Sequence, residues 1–253
     1  MRVLVTCARS EMGKIVAGAL GPKHDVKLTD LPSAKRGASV PDPGSPGEAR
    51  RRARGAAQTV AANDLDHDAA TDRLVAGMNA VVHIGYGGQR GDATALLDYY
   101  SRRTYNLLLA AANAKVERCV FVSTLRLLED YEENLTVTER WRSHPPSGDP
   151  ALLACHIGEL VCKEFARDRL VKVATLRLGW PVVEGSRAKA ARSGETAALA
   201  TDDLALALNA ALTADIEQWQ DIHVQSPVPD QRYLMQASQK LLGFPEPLKE
   251  ARR

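Results

Sequence analysis

Short apolar runs alternate with helical segments along most of the chain, and this alternation constrains the fold more than any other feature. Strands are predicted at residues 3–5, 25–30, 59–60, 80–85, 118–124, 171–179 and 220–226. Helices are predicted at residues 12–20, 68–77, 93–114, 151–168, 202–212 and 233–242. Strands joined by helices form a parallel sheet with both faces covered. The sequence therefore predicts an α/β fold, with a doubly wound parallel sheet and a small C-terminal appendage.

Charge, hydropathy and cysteine content argue against several classes of protein. The 253 residues include 33 basic and 31 acidic side chains, a formal net charge of +2, so no nucleic-acid partner is predicted. No apolar run approaches the roughly 18 residues of a membrane helix, and no leader peptide is predicted before Val3. The four cysteines show neither metal-ligand spacing nor a paired framework. We therefore expect reduced thiols, no metal site, no membrane association and a cytoplasmic location.

One domain of this length can bury a full core, so we predict a single domain over residues 1–253. Residues 33–57 are rich in Pro, Gly and Arg and read as a flexible insertion between two strands. Its basic run at 48–55 is interpreted as a solvated loop. Residues 180–253 are predicted to form a small segment on the substrate side.

The N-terminal stretch VTCARSEMGK is laid out as a strand, a polar turn and a helix. This is the arrangement of a dinucleotide-binding turn, in which phosphate approaches the helix N-terminus. Such turns carry three glycines, whereas this stretch has only Gly13. The sequence therefore indicates the architecture of a nucleotide site whose phosphate turn has been altered.

The order of these elements resembles the NAD-dependent epimerase/dehydratase family, the extended branch of the short-chain dehydrogenases/reductases. The resemblance extends to about Ser226 and rests on VLVTCARSEMG, NDLDH, AVVHIGY, RRTYNLLLAAANAKVERCVFVST, VATLRLGWPV and TDDLALAL. In size and in the HIGY segment the chain is similar to the compact uronate dehydrogenases of that family. The resemblance implies a Rossmann-type NAD(P)-binding domain.

In the family the phosphate turn reads T-G-x-x-G-x-x-G, which puts Cys7, Ser10 and Gly13 at the glycine positions. The first glycine permits the tight turn, the second lets the pyrophosphate approach, and the third packs the helix on the strand. Only the packing glycine is kept. Glu11 adds a negative charge at the helix start, and Arg9 could offset it by pairing with phosphate. We predict that cofactor binding is weakened but retained.

The resemblance also assigns residues to the rest of the cofactor site. Asp30 follows the second strand, where the family places an acid on the adenosine ribose, which favours NAD. Lys35 and Arg36 could instead meet the 2′-phosphate of NADP, so both cofactors stay open. The cofactor-site positions implied by the resemblance are Thr6, Arg9, Ser10, Met12, Gly13, Asp30, Asp64, Leu65, Ile84, Gly85 and Tyr86.

Active members of the family use a Ser or Thr with a Tyr-x-x-x-Lys pair, in which the lysine lowers the pKa of the tyrosine. Thr124 matches the Ser/Thr position, whereas Cys155 stands at the tyrosine and Glu159 at the lysine. Lys163 follows Glu159 by four residues, a spacing that predicts a helix-surface salt bridge. The usual hydride-transfer machinery is absent.

Three hypotheses follow. The first is a weakly catalytic or non-catalytic family member that binds a nucleotide or sugar ligand. The second is an active NAD(P)-dependent oxidoreductase or epimerase on a sugar, uronate or sugar nucleotide, with Cys155 or His156 as an unusual acid/base. The third is a structural subunit. A homodimer through the two long helices is expected by analogy with the family. Arg140, Arg142 and Arg177 could meet a carboxylate or phosphate of the ligand.

Overall fold

Seven parallel strands form the central sheet of the protein in a computed structural model, which describes residues 1–32, 59–228 and 231–244. The strands are β1 (Arg2–Val5), β2 (Asp25–Asp30), β3 (Val60–Ala62), β4 (Ala80–Ile84), β5 (Arg118–Thr124), β6 (Lys172–Leu178), β7 (Val182–Val183), β8 (Leu199–Ala200) and β9 (Trp219–Val224). The order across the central sheet is β3-β2-β1-β4-β5-β6-β9, and each neighbouring pair is parallel. A second sheet pairs β7 with β8.

Helices connect the strands and cover the sheet. They are α1 (Glu11–Leu20), α2 (Ala69–Val75), α3 (Ala93–Asp98), α4 (Thr104–Asn113), α5 (Pro150–Arg167), α6 (Arg187–Arg192) and α7 (Thr201–Ala211). α1 packs on α7, whereas α4 packs on α2 and α5. The chain builds the sheet outward from β1 to β3 on one side and from β4 onward on the other. Such a switch point between β1 and β4 places a crevice at the carboxyl ends of these two strands.

The buried strands explain the apolar runs of the sequence. Every residue of β4 and β5 is buried, as expected for parallel strands covered on both faces. Asp92 and Asp149 cap the N-termini of α3 and α5 with their carboxylates, a role that short acidic side chains favour. Pro150 follows at the first turn of α5, where its missing N–H is not needed.

The predicted doubly wound parallel sheet is confirmed, with differences at the ends. The long helix predicted at 93–114 is α3 and α4 joined by a π-helical segment, Tyr99–Arg103. The final helix predicted at 233–242 is reduced to a short π-helical segment, Ser238–Leu242. The insertion predicted at 33–57 lies outside the described residues. No helix in the described part of the chain is long and apolar enough to cross a membrane.

Candidate functional site

The turn after β1 joins the strand closely to α1, although the resemblance puts Cys7 and Ser10 at its first two glycine positions. Cys7 takes the left-handed backbone conformation, with φ of 51°, which normally favours glycine. A Cβ on Gly13 would lie 2.2 Å from the backbone oxygen of Cys7. Gly13 therefore allows α1 to approach the strand as the family pattern implies, and Met12 beside it is buried.

Ser10 changes the chemistry at the N-terminus of α1. Its hydroxyl oxygen accepts a hydrogen bond from the Gly13 N–H at 2.9 Å and caps the helix. Free N–H groups at a helix start are the donors that bind phosphate. One of those donors is therefore satisfied within the protein.

Asp30, at the end of β2, is 2% exposed and hydrogen-bonded to the turn. Its Oδ2 accepts from the Arg9 N–H at 2.7 Å, and its Oδ1 accepts from the Leu31 N–H at 2.8 Å. The Arg9 guanidinium donates to the Leu31 carbonyl at 3.0 Å. Asp30 thus lies beside the phosphate turn, where the resemblance places a ribose-binding acid.

Asp64 and Leu65 form a fixed loop after β3. Leu65 is buried, with φ of 53°, and its carbonyl accepts from the Asn106 side chain at 3.0 Å. Arg103 pairs with the Asp64 carboxylate at 3.4 Å and also donates to the Asp64 carbonyl. These residues on α4 and the π-helical segment hold the loop where the resemblance places adenine.

Thr6 and the end of β4 form the next part of this edge. The Thr6 hydroxyl bonds His83 Nδ1 at 2.8 Å and accepts from the Ile84 N–H at 3.1 Å. A Cβ on Gly85 would lie 2.5 Å from Phe121, so a side chain is excluded there. The Tyr86 hydroxyl is hydrogen-bonded to the Arg126 guanidinium, which ties the end of β4 to the segment after β5.

Two buried tyrosines support the phosphate turn, and the sequence did not predict this contact. The Tyr99 hydroxyl lies 3.1 Å from Cys7 Sγ, and the Tyr100 hydroxyl donates to the Ile84 carbonyl at 3.1 Å. Burial raises the pKa of both phenols well above their usual value and the pKa of Cys7 to about 11. Neither tyrosine therefore supplies a proton-transfer group near neutral pH.

The positions that match the family's tyrosine and lysine lie in a closed interior cluster. Cys155 is fully buried on α5, with its Sγ 3.4 Å from the Ser123 hydroxyl. Ser123 donates to Glu159 Oε1 at 2.5 Å. The Thr124 hydroxyl instead accepts from the Arg126 N–H at 3.2 Å, so the structure brings Ser123 to Cys155 and Glu159.

A buried guanidinium on β6 balances Glu159. Arg177 donates to both oxygens of Glu159, at 3.0 and 2.9 Å, and lies 3.0 Å from Asp221 Oδ2. All three side chains are less than 9% exposed. Two carboxyl groups of the protein therefore share the Arg177 guanidinium. The partners of Arg177 are these groups, whereas the sequence suggested a carboxylate or phosphate of a ligand.

Lys163 does not form the salt bridge with Glu159 that the helical spacing predicted. Its ammonium lies 4.0 Å from the centre of the Trp219 ring, a cation–π contact. Glu159 is 6% exposed, so it points into the core, where Arg177 is in reach. The helix-surface interpretation was wrong because the spacing alone does not show which face of α5 is buried.

The segment after β5 closes this cluster on its outer side. The Ser143 hydroxyl lies 3.3 Å from Glu159 Oε2, and the Trp141 carbonyl lies 3.5 Å from the Arg177 guanidinium. Burial, together with the charge of Glu159, raises the pKa of the Cys155 thiol well above its usual value. The thiol is therefore protonated at neutral pH. Burial lowers the pKa of His156.

The buried carboxyl group of Asp221 should make the stability of the protein depend on pH. Burial raises its pKa from 3.8 to about 7, although Arg177 opposes the shift and Glu159 adds to it. The folded protein then binds a proton more tightly than the unfolded chain, so this contribution to stability decreases as the pH rises from about 4 to about 7. In Asp221→Asn, the free energy of unfolding measured by urea denaturation should decrease less across that pH range. The exposed Asp168→Asn is the control, and equal slopes for the two variants would contradict the assignment.

No group of three or more His, Cys, Asp or Glu side chains in residues 1–32, 59–228 and 231–244 is arranged to hold a metal ion. All four cysteines are buried free thiols.

Strand order and the turn at Gly13 together define a Rossmann-type α/β fold. No protein-family model matches the sequence, and no curated protein matches it.

Solved structures show which proteins share this fold. A glucuronic acid dehydrogenase from Chromohalobacter salexigens is 22% identical, with a TM-score of 0.73 over 98% of this chain and 85% of that one. A mutant uronate dehydrogenase from Agrobacterium tumefaciens, complexed with NAD, is 21% identical, with a TM-score of 0.66 over 96% and 83%. MoeE5 in complex with UDP-glucuronic acid and NAD is 16% identical, with a TM-score of 0.68 over 96% and 93%. The resemblance stated from the sequence is confirmed at the level of the fold.

Proposed function

We propose that this protein binds a dinucleotide at the carboxyl edge of its sheet and does not carry out the hydride transfer usual for its fold. The observation that carries the proposal is the buried Glu159–Arg177 pair, since the sequence resemblance aligns Glu159 with the family's lysine. A carboxylate there cannot donate to ribose hydroxyls as an ammonium does. It also raises, and does not lower, the pKa of a neighbouring acid.

The side chains in direct contact with Glu159 offer no acid/base suited to neutral pH. The Cys155 thiol is protonated and buried, and the Ser123 hydroxyl donates to Glu159. The Arg177 guanidinium keeps its proton because Glu159 and Asp221 raise its pKa. A general acid or base works best with a pKa near the working pH. In this cluster that condition is met by Asp221, whose pKa burial raises to about 7, and its carboxylate is buried against Arg177.

The residues at the carboxyl edge fit a dinucleotide in part. The left-handed turn at Cys7, the close packing at Gly13 and the acid at Asp30 favour it. The cap formed by Ser10 on the Gly13 N–H works against tight binding. We propose that Arg9, Ser10, Gly13 and Asp30 would hold the phosphates and the ribose, and that the bound dinucleotide would supply only a redox-active ring that this chain does not use.

NAD is the proposed cofactor, and structural neighbours crystallised with NAD support it. A sugar or sugar nucleotide is the proposed second ligand, because one neighbour binds UDP-glucuronic acid beside NAD. We also propose a cytoplasmic homodimer that pairs through the long helices, a single domain over residues 1–253, and residues 180–253 as the side that faces the second ligand.

An active dehydrogenase or epimerase on a uronate or sugar nucleotide is the second candidate. The names of the neighbours favour it, since they include a glucuronic acid dehydrogenase and a UDP-N-acetylglucosamine 4-epimerase. It requires an acid/base outside the Ser123–Cys155–Glu159 cluster.

Calorimetry with NAD and NADP in both redox states, followed by absorbance assays with uronates and sugar nucleotides, separates the two candidates. We expect heat of binding for NAD and no change in nicotinamide absorbance. Asp30→Asn should weaken binding, whereas Asp25→Asn, whose 79% exposed side chain lies at the other end of β2, should not. Turnover on any of these substrates would contradict the non-catalytic proposal.

A further inference from the structure

The loop after β4 folds back over the phosphate turn and is held there by a buried phenol. The Tyr100 hydroxyl accepts from the backbone N–H of Gln89 at 3.0 Å and donates to the Ile84 carbonyl at 3.1 Å. A Cβ on Gly88 would lie 2.6 Å from the Ile84 oxygen and 2.7 Å from the Tyr100 hydroxyl. The loop backbone therefore sits close against the end of β4, and the position of Gln89 is fixed by its own N–H.

This anchoring directs the Gln89 side chain across the carboxyl ends of β1 and β2. Its Nε2 donates to Asp30 Oδ1 at 3.1 Å and lies 3.4 Å from Cys7 Sγ. The amide thus spans the phosphate turn and contacts the carboxylate that Rossmann folds use for the adenosine ribose. A ribose hydroxyl would donate to that carboxylate in the same way.

We propose that Gln89 occupies the ribose position of the dinucleotide site, so that a dinucleotide binds only when the amide leaves Asp30. This inference rests on the proposed function, since it concerns the same site. Gln89 would then set the affinity of the site for the dinucleotide. Displacing the amide breaks a hydrogen bond to a charged group before the ribose can form its own.

The proposal distinguishes NAD from NADP. The free 2′-hydroxyl of NAD can replace the Gln89 amide as a donor to Asp30. The 2′-phosphate of NADP carries negative charge and is repelled by the carboxylate whether or not Gln89 is present. Removing the amide should therefore strengthen the binding of NAD and leave the binding of NADP unchanged.

Gln89→Ala and Gln89→Ser test this by calorimetry with NAD and NADP. We expect both variants to bind NAD about tenfold more tightly than the parent protein, the order expected from releasing one hydrogen bond to a charged group, with no gain for NADP. Gln236→Ala, an exposed glutamine on the C-terminal segment, is the matched control. Thermal unfolding of each variant checks that it is folded.

Unchanged or weaker NAD binding in folded Gln89→Ala and Gln89→Ser would overturn the role of Gln89. An equal gain for NAD and NADP would overturn it too, because that result means simple relief of crowding. If Asp30→Asn still loses NAD binding in those cases, the proposed site stands without the role of Gln89. If neither the parent protein nor any Gln89 variant binds NAD, the proposed dinucleotide site itself fails.

Discussion

Glu159→Lys, which restores the residue that the family resemblance implies, is expected to destabilise the folded protein by about 3–5 kcal/mol or more. The new ammonium would lie beside Arg177, whose side chain is 5% exposed. Two cations would then share an interior where Arg177 now donates to both oxygens of Glu159. Urea denaturation followed by tryptophan fluorescence measures the loss.

Leu160→Lys is the matched control, because Leu160 is the next residue on α5 and is 46% exposed. We expect it to change the stability by less than about 0.5 kcal/mol. Adding Arg177→Glu to Glu159→Lys restores one cation between two carboxylates, since Asp221 remains. The double variant should therefore regain part of the lost stability. A Glu159→Lys protein as stable as the parent would show that the pair contributes little.

Gly13→Ala is expected to destabilise the protein by about 3 kcal/mol or more, at the upper end of the range for overpacking. The added Cβ would lie 2.2 Å from the Cys7 carbonyl oxygen and 2.9 Å from the Ala8 Cα. Both are backbone atoms of the turn after β1, so neither can rotate away as the end of a side chain could. The helix α1 or the turn itself must move. Guanidinium denaturation measures the change.

Gly18→Ala on the same helix is the matched control, and we expect it to stabilise the protein. Beyond the backbone of its own helix and its two chain neighbours, nothing lies within 4 Å of a Cβ at Gly18, and alanine loses less conformational entropy than glycine on folding. The variant should be stabilised by about 0.5–1 kcal/mol. If the two alanines have similar effects, the close approach of α1 to the turn is not as the structure describes.

The order and type of the main elements could be predicted from the sequence because each reflects local physics. The apolar runs of β4 and β5 are buried on both faces, and a continuous apolar run is the pattern that such burial requires. The short strands β7 and β8 were missed because each has only two residues. The π-helical segment at Tyr99–Arg103 was missed because five residues inside a longer helix are too few to show a different helical period.

The candidate site was predicted in part. Gly13 was assigned to helix packing, and its geometry agrees. Asp30 lies beside the turn, where it accepts from the Arg9 N–H, and its role toward a ribose stays a prediction. The contacts of Gln89 and Tyr99 with Cys7 could not be predicted, because they join residues that are 82 and 92 positions apart. Only the folding of the loop after β4 over the turn brings them together.

The sequence by itself determined the alternation of strands and helices, the altered phosphate turn and the absence of a Tyr-x-x-x-Lys pair, because these depend on residue types and short spacings. The tertiary structure alone decided which cation pairs with Glu159. Glu159, Arg177 and Asp221 come from α5, β6 and β9, and a buried carboxylate is stable only where distant chain segments supply its cation. No local sequence pattern indicates that Arg177 is the partner of Glu159.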